Sequence, residues 1–300
     1  MSGRSRNTAT FLTSALALAA AVPSDVRTKQ YMLHADFPRL AARFHAGQAA
    51  MLANIDAATA RVLDAAGIQS VVAPSATCCG AVKFHLNDHD GGMHQMRTNI
   101  DAWWPYVEGQ GGQDGAPKVE AILMNASGCG VMVKDYGHVL RDDPLYADKA
   151  RRISALTRDL SEWLPELTQA LQGKLKPGTA AAAFHPPCTL QHGQQLKGGV
   201  ELHLAKLGFV VKPILNEAHL CCGSAGTYSV LQPDIAYELR DRKLGHLKET
   251  QAQVILSANI GCITQLARGS DAPVVHTVEL IDWAQGGPLP PALEGAGFPH

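Results

Sequence analysis

Three hundred residues, 46% of them hydrophobic, are enough for one large domain or two ordinary ones and describe a globular chain rather than a disordered one. Lys and Arg number 26 against 27 Asp and Glu, a formal net charge of -1, so the cationic excess needed to neutralise a phosphate backbone is missing and nucleic-acid binding is set aside. Seven cysteines, an odd number without a clear secretory context, point to metal or redox chemistry rather than to a disulfide framework.

Residues 1–53 form a poorly defined N-terminal segment. Arg4 and Arg6 precede an apolar, Ala-rich run from Ala9 to Ala21 that reads equally as a secretory signal, a first helix or a linker. The run falls short of the roughly 20 apolar residues of a membrane span. No adjacent Arg pair near the start suggests export in the folded state.

From Asn54 the pattern becomes regular. Ile55, Ala58, Val62, Leu63 and Ala66 fall on one face of a helix, and Gly67 stands just past its end. Ile68 to Ala73 then reads as a β-branched strand stopped by Pro74, and Cys78-Cys79-Gly80 follows. Further on, Ala121 to Met124 is a short apolar strand leading into Gly128-Cys129, and Thr157 to Trp163 reads as helix. A polar stretch bearing Gly and Pro, Gln172 to Gly178, marks a boundary.

The second half repeats these units. Val200 to Leu207 is the helix, Gly208 its stop, Phe209 to Val211 the strand and Pro213 its terminator, before Cys221-Cys222-Gly223. Val254 to Cys262 matches Ala121 to Cys129, and Thr277 to Trp283 is set against Thr157 to Trp163. Strands alternating with helices predict an α/β fold of two pseudo-symmetric lobes, residues 54–172 and 178–290, each with a parallel sheet and cysteines at the carboxyl ends of its strands.

Neighbouring cysteines seldom bond each other, because a disulfide needs well-separated Cα atoms with converging Cβ atoms, but both can ligate a metal. The second half carries one further cysteine, Cys188. Cys188, Cys221, Cys222 and Cys262 therefore form a complete four-thiolate set, whereas Cys78, Cys79 and Cys129 form an incomplete one. Four thiolates hold either an iron-sulfur cluster or a structural zinc; the long gaps between these cysteines are unlike zinc knuckles and suit a cluster assembled from several strand ends, with 4Fe-4S the expected type.

Other polar groups have plainer readings. His85, Asp88, His89 and Asp90 fit local turn hydrogen bonds better than ligation. Trp103 and Trp104 fit core packing or a partner interface. Gly223 to Gly226 lacks the residues of a phosphate-binding loop, and its glycines suit close approach of backbone to a cluster.

These cysteines and the words around them carry a family resemblance. Cys78 to Ala81 with Phe84 to Asn87, Asn99 to Pro105, Ala126 to Gly130, His185 to Cys188 and Cys221 to Tyr228 resemble the CCG-domain redox subunits of the heterodisulfide reductase type, above all the branch of glycolate oxidase (glycolate dehydrogenase) iron-sulfur subunits. Met132 and Gln265 stand where the heterodisulfide reductase branch has a further cysteine, which favours the glycolate branch. The resemblance implies an electron-transfer subunit, inactive alone, that passes electrons from flavin-containing partner subunits to an acceptor. It further implies cytoplasmic residence with peripheral association at the inner membrane face through the complex.

Two features depart from the family. The ferredoxin module that precedes the duplicated region in such subunits has no counterpart here, so it is expected on another chain, and the first cysteine is Cys78. The family's first-half strand ending in Gly-Cys falls instead on a segment ending at His45 or Ala46, where Pro38 to Phe44 makes a poor buried strand. Truncation, or an altered reading frame upstream of Asn54, would explain both. Related chemistry on lactate, glycerol-3-phosphate or disulfides is the nearest alternative, and a zinc-stabilised structural subunit is the alternative of a different class.

Overall fold

The computed structural model describes residues 10–13 (backbone), 51, 53–73, 75–109, 118–296 and 298. The chain is an α/β protein whose described residues form two four-stranded parallel sheets. The first sheet runs in the order β2-β1-β3-β4, from β1 (Thr10–Thr13), β2 (Gln69–Val72), β3 (Ala121–Met124) and β4 (Thr157–Asp159). Its helices are α1 (53–65), α2 (Ala81–His85), α3 (His89–Glu108), α4 (Ser127–Lys134), α5 (Tyr136–Val139) and α6 (Ala147–Leu156). A 3-10 turn over Leu160–Trp163 leads into α7 (Leu164–Leu171).

The second sheet repeats the order as β6-β5-β7-β8, from β5 (Ala181–His185), β6 (Val210–Val211), β7 (Val254–Ser257) and β8 (Val274–His276). Its helices are α8 (Gly199–Lys206), α9 (Tyr228–Leu231), α10 (Pro233–Glu249), α11 (Ile260–Ala267) and α12 (Thr277–Ala284).

Register corrects one part of the internal repeat. Ile122 of β3 lies opposite Thr157, and its counterpart Ile255 of β7 lies opposite Val274. Thr157 therefore corresponds to Val274 and not to Thr277, and the helix expected from Thr157 is a strand followed by a 3-10 turn. The true equivalents are Asp159 and His276, each of which ends a strand and caps the helical turn after it. Asp159 accepts from Ser161 N at 2.9 Å while Glu162 accepts from Asp159 N at 2.7 Å. His276 Nδ1 accepts from Val278 N at 3.1 Å while Glu279 accepts from His276 N at 3.0 Å. These reciprocal bonds are capping boxes that satisfy otherwise orphaned N–H groups.

The N-terminal segment holds a second correction. Thr10–Thr13 is the strand between β2 and β3, with Phe11 opposite both Ser70 and Ala121, so these four residues of the Ala9–Ala21 run are strand and not helix or linker. β2 and β3 each need a partner on that side for their ladder groups, and a Thr-Phe-Leu-Thr stretch has the residues for it. Pro38 to Phe44, His45 and Ala46 lie outside the described residues.

The predicted face of α1 is buried: Ile55, Ala58, Val62 and Leu63 pack with Leu164, Leu167 and Leu171 of α7 and with Phe184, Leu256 and Ile281 of the second half. One core thus runs across the Gln172–Gly178 connection, each of its buried Val, Leu, Ile and Phe side chains contributing about 1.5–3 kcal/mol of transfer energy. A second core gathers Met96, Ile100 and Trp103 of α3 with Ile122, Val133 and Tyr136. Among the described residues no helix is long and apolar enough to cross a membrane.

Candidate metal centre

Because all strands of a sheet are parallel, their carboxyl ends share one edge, and the cysteines follow those ends. Cys188 comes just after β5, Cys262 lies in the first turn of α11 after β7, and Cys221 and Cys222 lie in the loop after β6. The structure brings these four together in a row. Cys188 contacts Cys221, Cys221 contacts Cys222, Cys222 contacts Cys262, and Cys262 contacts His185. Ligand atoms of His185, Cys222 and Cys262 all lie within 4.8 Å of one another.

Touching thiols cannot all ionise together. Hydrogen bonds from Cys188 and Cys222 hold Cys221 well below the ordinary thiol range, and a bond from Cys222 lowers Cys262. Cys188 and Cys222, which donate those bonds, are pushed up. The metal-binding form is the thiolate, so half of the row is already biased toward ligation before any cation adds its charge. Gly223 N also donates to Cys221 Sγ at 3.3 Å, and Asn259 Nδ2 donates to Cys262 Sγ at 3.5 Å.

Two supports fix the loop. Gly223 has φ +80, and a Cβ there would meet the Ala236 carbonyl oxygen at 2.1 Å, so the third residue of Cys-Cys-Gly admits no side chain. Lys243 of α10 is fully buried, and its Nζ donates to the carbonyls of Glu217 at 3.2 Å and Ala218 at 2.9 Å. Burial pushes its pKa down to about 8 against the opposing pull of the four cysteines, which leaves a cation beside the sulfur row at neutral pH.

In the first half the structure brings together Cys78, Cys79 and Cys129, with Cys79 in contact with both others. A polar cradle holds this loop: Asn99 Nδ2 donates to Cys78 O at 2.9 Å, Tyr136 Oη donates to Cys79 O at 2.8 Å, and Thr77 N donates to Asn99 Oδ1 at 2.6 Å. Gly80 repeats the positive backbone angle, φ +88. β1 occupies the place of β5 in its sheet, yet no cysteine precedes Cys78, so the first site lacks a counterpart of Cys188.

The two sites are linked. Asn259, which touches Cys262, also accepts from Gly128 N at 3.1 Å through Oδ1, immediately before Cys129. Ser127 N donates to Ala258 O at 3.0 Å alongside.

Of the polar residues given a turn role, Asp88 has the expected local hydrogen bond. Asp88 caps α3 by accepting from Gly91 N at 3.0 Å, His89 stacks on Phe84, and His85 and Asp90 are exposed. Trp103 is buried, whereas Trp104 is half-buried under the Lys149 ammonium. Met132 fills the first-half core and Gln265 is buried with its amide donating to Ala236 O at 3.4 Å, so neither position offers a ligand. Sequence reasoning missed Lys243, Asn99 and Tyr136 as supports, and His185 as a member of the row. Only the nearness of His185 and Asn99 to the cysteine-bearing words signalled them.

His185 also tests whether the residues present fit a metal group. It is fully buried, and its ring nitrogens make no well-directed hydrogen bond, the Cys262 thiol being their near partner. An imidazole so enclosed beside the Cys222 and Cys262 thiols is costly without a cation and fits one well.

The family model of the cysteine-rich domain, CCG, matches residues 45–134 and 182–267. The chain is 49% identical over 231 residues to the glycolate oxidase iron-sulfur subunit of Escherichia coli (strain K12), covering 77% of this chain and 54% of that protein. It is 27% identical over 236 residues to the probable glycolate oxidase iron-sulfur subunit of Bacillus subtilis (strain 168), covering 76% and 51%. To lactate utilization protein A of Geobacillus thermodenitrificans (strain NG80-2) it is 28% identical over 243 residues, covering 76% and 92%. The chain thus spans about half the length of the two glycolate oxidase relatives.

Proposed function

The chain belongs to the cysteine-rich-domain (CCG) family, and from that premise we propose that it is the iron-sulfur electron-transfer subunit of a 2-hydroxy-acid dehydrogenase complex, with glycolate as the substrate. The observation that carries the reading is the row of Cys188, Cys221, Cys222 and Cys262 at the carboxyl edge of a parallel sheet. These four cysteines would hold the principal cluster, 4Fe-4S in type, and Cys78, Cys79 and Cys129 a weaker one. A bound cluster supplies a one-electron carrier. The chain's own part is to shield that carrier among buried side chains, to place the Lys243 cation and the Gly223 N–H beside its sulfurs, and to link the two sites through Asn259.

The flavin and the substrate belong on partner subunits, because the sequence offers no dinucleotide fingerprint. Electrons then pass from flavin through this chain toward quinone or another acceptor, in the cytoplasm and peripherally at the inner membrane face. Likeness to a lactate utilization protein supports a second reading in which lactate is the substrate and the electron path is the same.

Dye reduction tests the proposal. The purified chain alone should reduce no artificial dye with glycolate, and activity should appear on adding the flavoprotein subunits. Turnover by the isolated chain would contradict the assignment, and activity with lactate but not glycolate would select the second reading.

A further inference from the structure

We propose that His185 is a fifth protein ligand in the second site, so that its metal centre is held by four thiolates and one imidazole. The inference rests on reading that site as an iron-sulfur centre and goes beyond it.

Three observations carry it. His185 ends β5, where the ladder pairs it with Ser257 and Ser257 Oγ donates to its carbonyl at 3.3 Å, so the residue is fixed at the same strand edge that delivers the cysteines. The side chain is wholly buried with both ring nitrogens lacking a directed partner among the described residues. An enclosed imidazole whose near partner is the Cys262 thiol, without good hydrogen-bond geometry, is poorly satisfied, an arrangement that proteins avoid unless something else meets the nitrogen. Lastly, its nitrogen lies within 4.8 Å of both Cys222 and Cys262 sulfurs. Metal bonds of about 2.0–2.3 Å place two ligands of one tetrahedral ion about 3.5–4 Å apart, so His185, Cys222 and Cys262 reach a common ion with side-chain shifts on the order of an ångström.

The consequence concerns the type of centre. A simple four-iron cube takes one protein ligand per iron, and Cys188, Cys221, Cys222 and Cys262 already supply four. A fifth donor converging on Cys222 and Cys262 would leave one iron with more than one protein ligand, unlike a simple cube. As a neutral fifth donor the imidazole would add no negative charge, so the reduction potential should lie above that of the same centre with a fifth thiolate in its place.

The test uses the full chain purified without oxygen and labelled with 15N-histidine, examined by pulsed electron paramagnetic resonance in the redox state that is paramagnetic. A directly bonded histidine nitrogen should appear in the wild type, change with the label and vanish in His185→Ala. That variant should bind iron more weakly by at least the roughly 10–100-fold typical of losing an outer-shell partner. His185→Cys should restore iron binding with a lower reduction potential, which a role confined to packing does not predict. Iron and sulfide in the wild type with no bonded histidine nitrogen would overturn the His185 assignment and leave the iron-sulfur reading standing. Absence of iron and sulfide would overturn both. Should His185→Ala fail to fold, the wild-type spectrum decides alone.

Discussion

Cys222 sits in the middle of the sulfur row with a neighbour on each side, whereas Cys79 belongs to a group of three. Cys222→Ser should therefore remove most of the bound iron and Cys79→Ser much less, as read by iron analysis of each variant; equal losses would contradict a dominant second site. Lys243 acts through charge. Lys243→Met removes a buried cation beside the cysteines, so the reduction potential of the centre should fall by roughly tens of millivolts in a redox titration. A different residue controls pH dependence. Burial pushes Asp56 up to about 6 from its ordinary 3.8, although Asn125 Nδ2 donates to it at 2.7 Å. The fold thus prefers the protonated acid, and wild-type stability contributed by Asp56 is complete below pH 3.8 and lost as pH rises through 6. Asp56→Asn should match the wild type near pH 4 and exceed it by about 3 kcal/mol at pH 7 in denaturant titrations. The difference between Cys222 and Cys79 was legible in the cysteine count, but the roles of Lys243 and Asp56 were not legible from residue type. A lysine in a polar helical pattern and an aspartate at a helix start both read as solvated, and only the tertiary neighbours make them buried.

Most elements were legible, for a physical reason. Apolar spacing at Ile55, Ala58, Val62 and Leu63 identified α1, and the run Val254 to Leu256 identified β7, because each buries one continuous apolar surface. The strand at Thr157–Asp159 was missed since its burial alternates over only three residues, with Arg158 exposed between Thr157 and Asp159, and a helical reading fits so short a window equally well. β1 was missed for a related reason: an Ala-rich run supports several readings, and the choice was made by the open sides of β2 and β3. Cys-Cys-Gly itself is an element whose third residue is set by geometry. Gly223→Ala drives a Cβ into the Ala236 carbonyl from a left-handed backbone, which should cost about 3 kcal/mol or more and lower Tm by several degrees. Gly80→Ala, whose Cβ would meet Gly92 O at 2.8 Å, should be milder. Calorimetry on both variants checks the order.

At the scale of the molecule, duplication was visible in the cysteine words, but the way the halves join was not. The Arg61 guanidinium of α1 holds Asp282 of α12 at 2.6 and 2.9 Å, and Asp282 is only 2% exposed. His276 Nε2 donates to Asn125 O at 2.8 Å across the same junction. Pairings between residues so far apart in sequence leave no periodic trace. Arg61→Ala leaves the buried carboxylate without its cation; because Arg61 itself is partly exposed, the expected loss is about 1–3 kcal/mol in a denaturant titration, below that of a fully buried pair. The proposed function requires that the joined halves gather the second-half thiols around an iron-sulfur centre. Iron, acid-labile sulfide and zinc measured per chain after anaerobic purification test this most directly. The expected result is a brown protein with iron and sulfide in matching amounts, both largely lost in Cys222→Ser. A colourless protein holding zinc and no sulfide would contradict it.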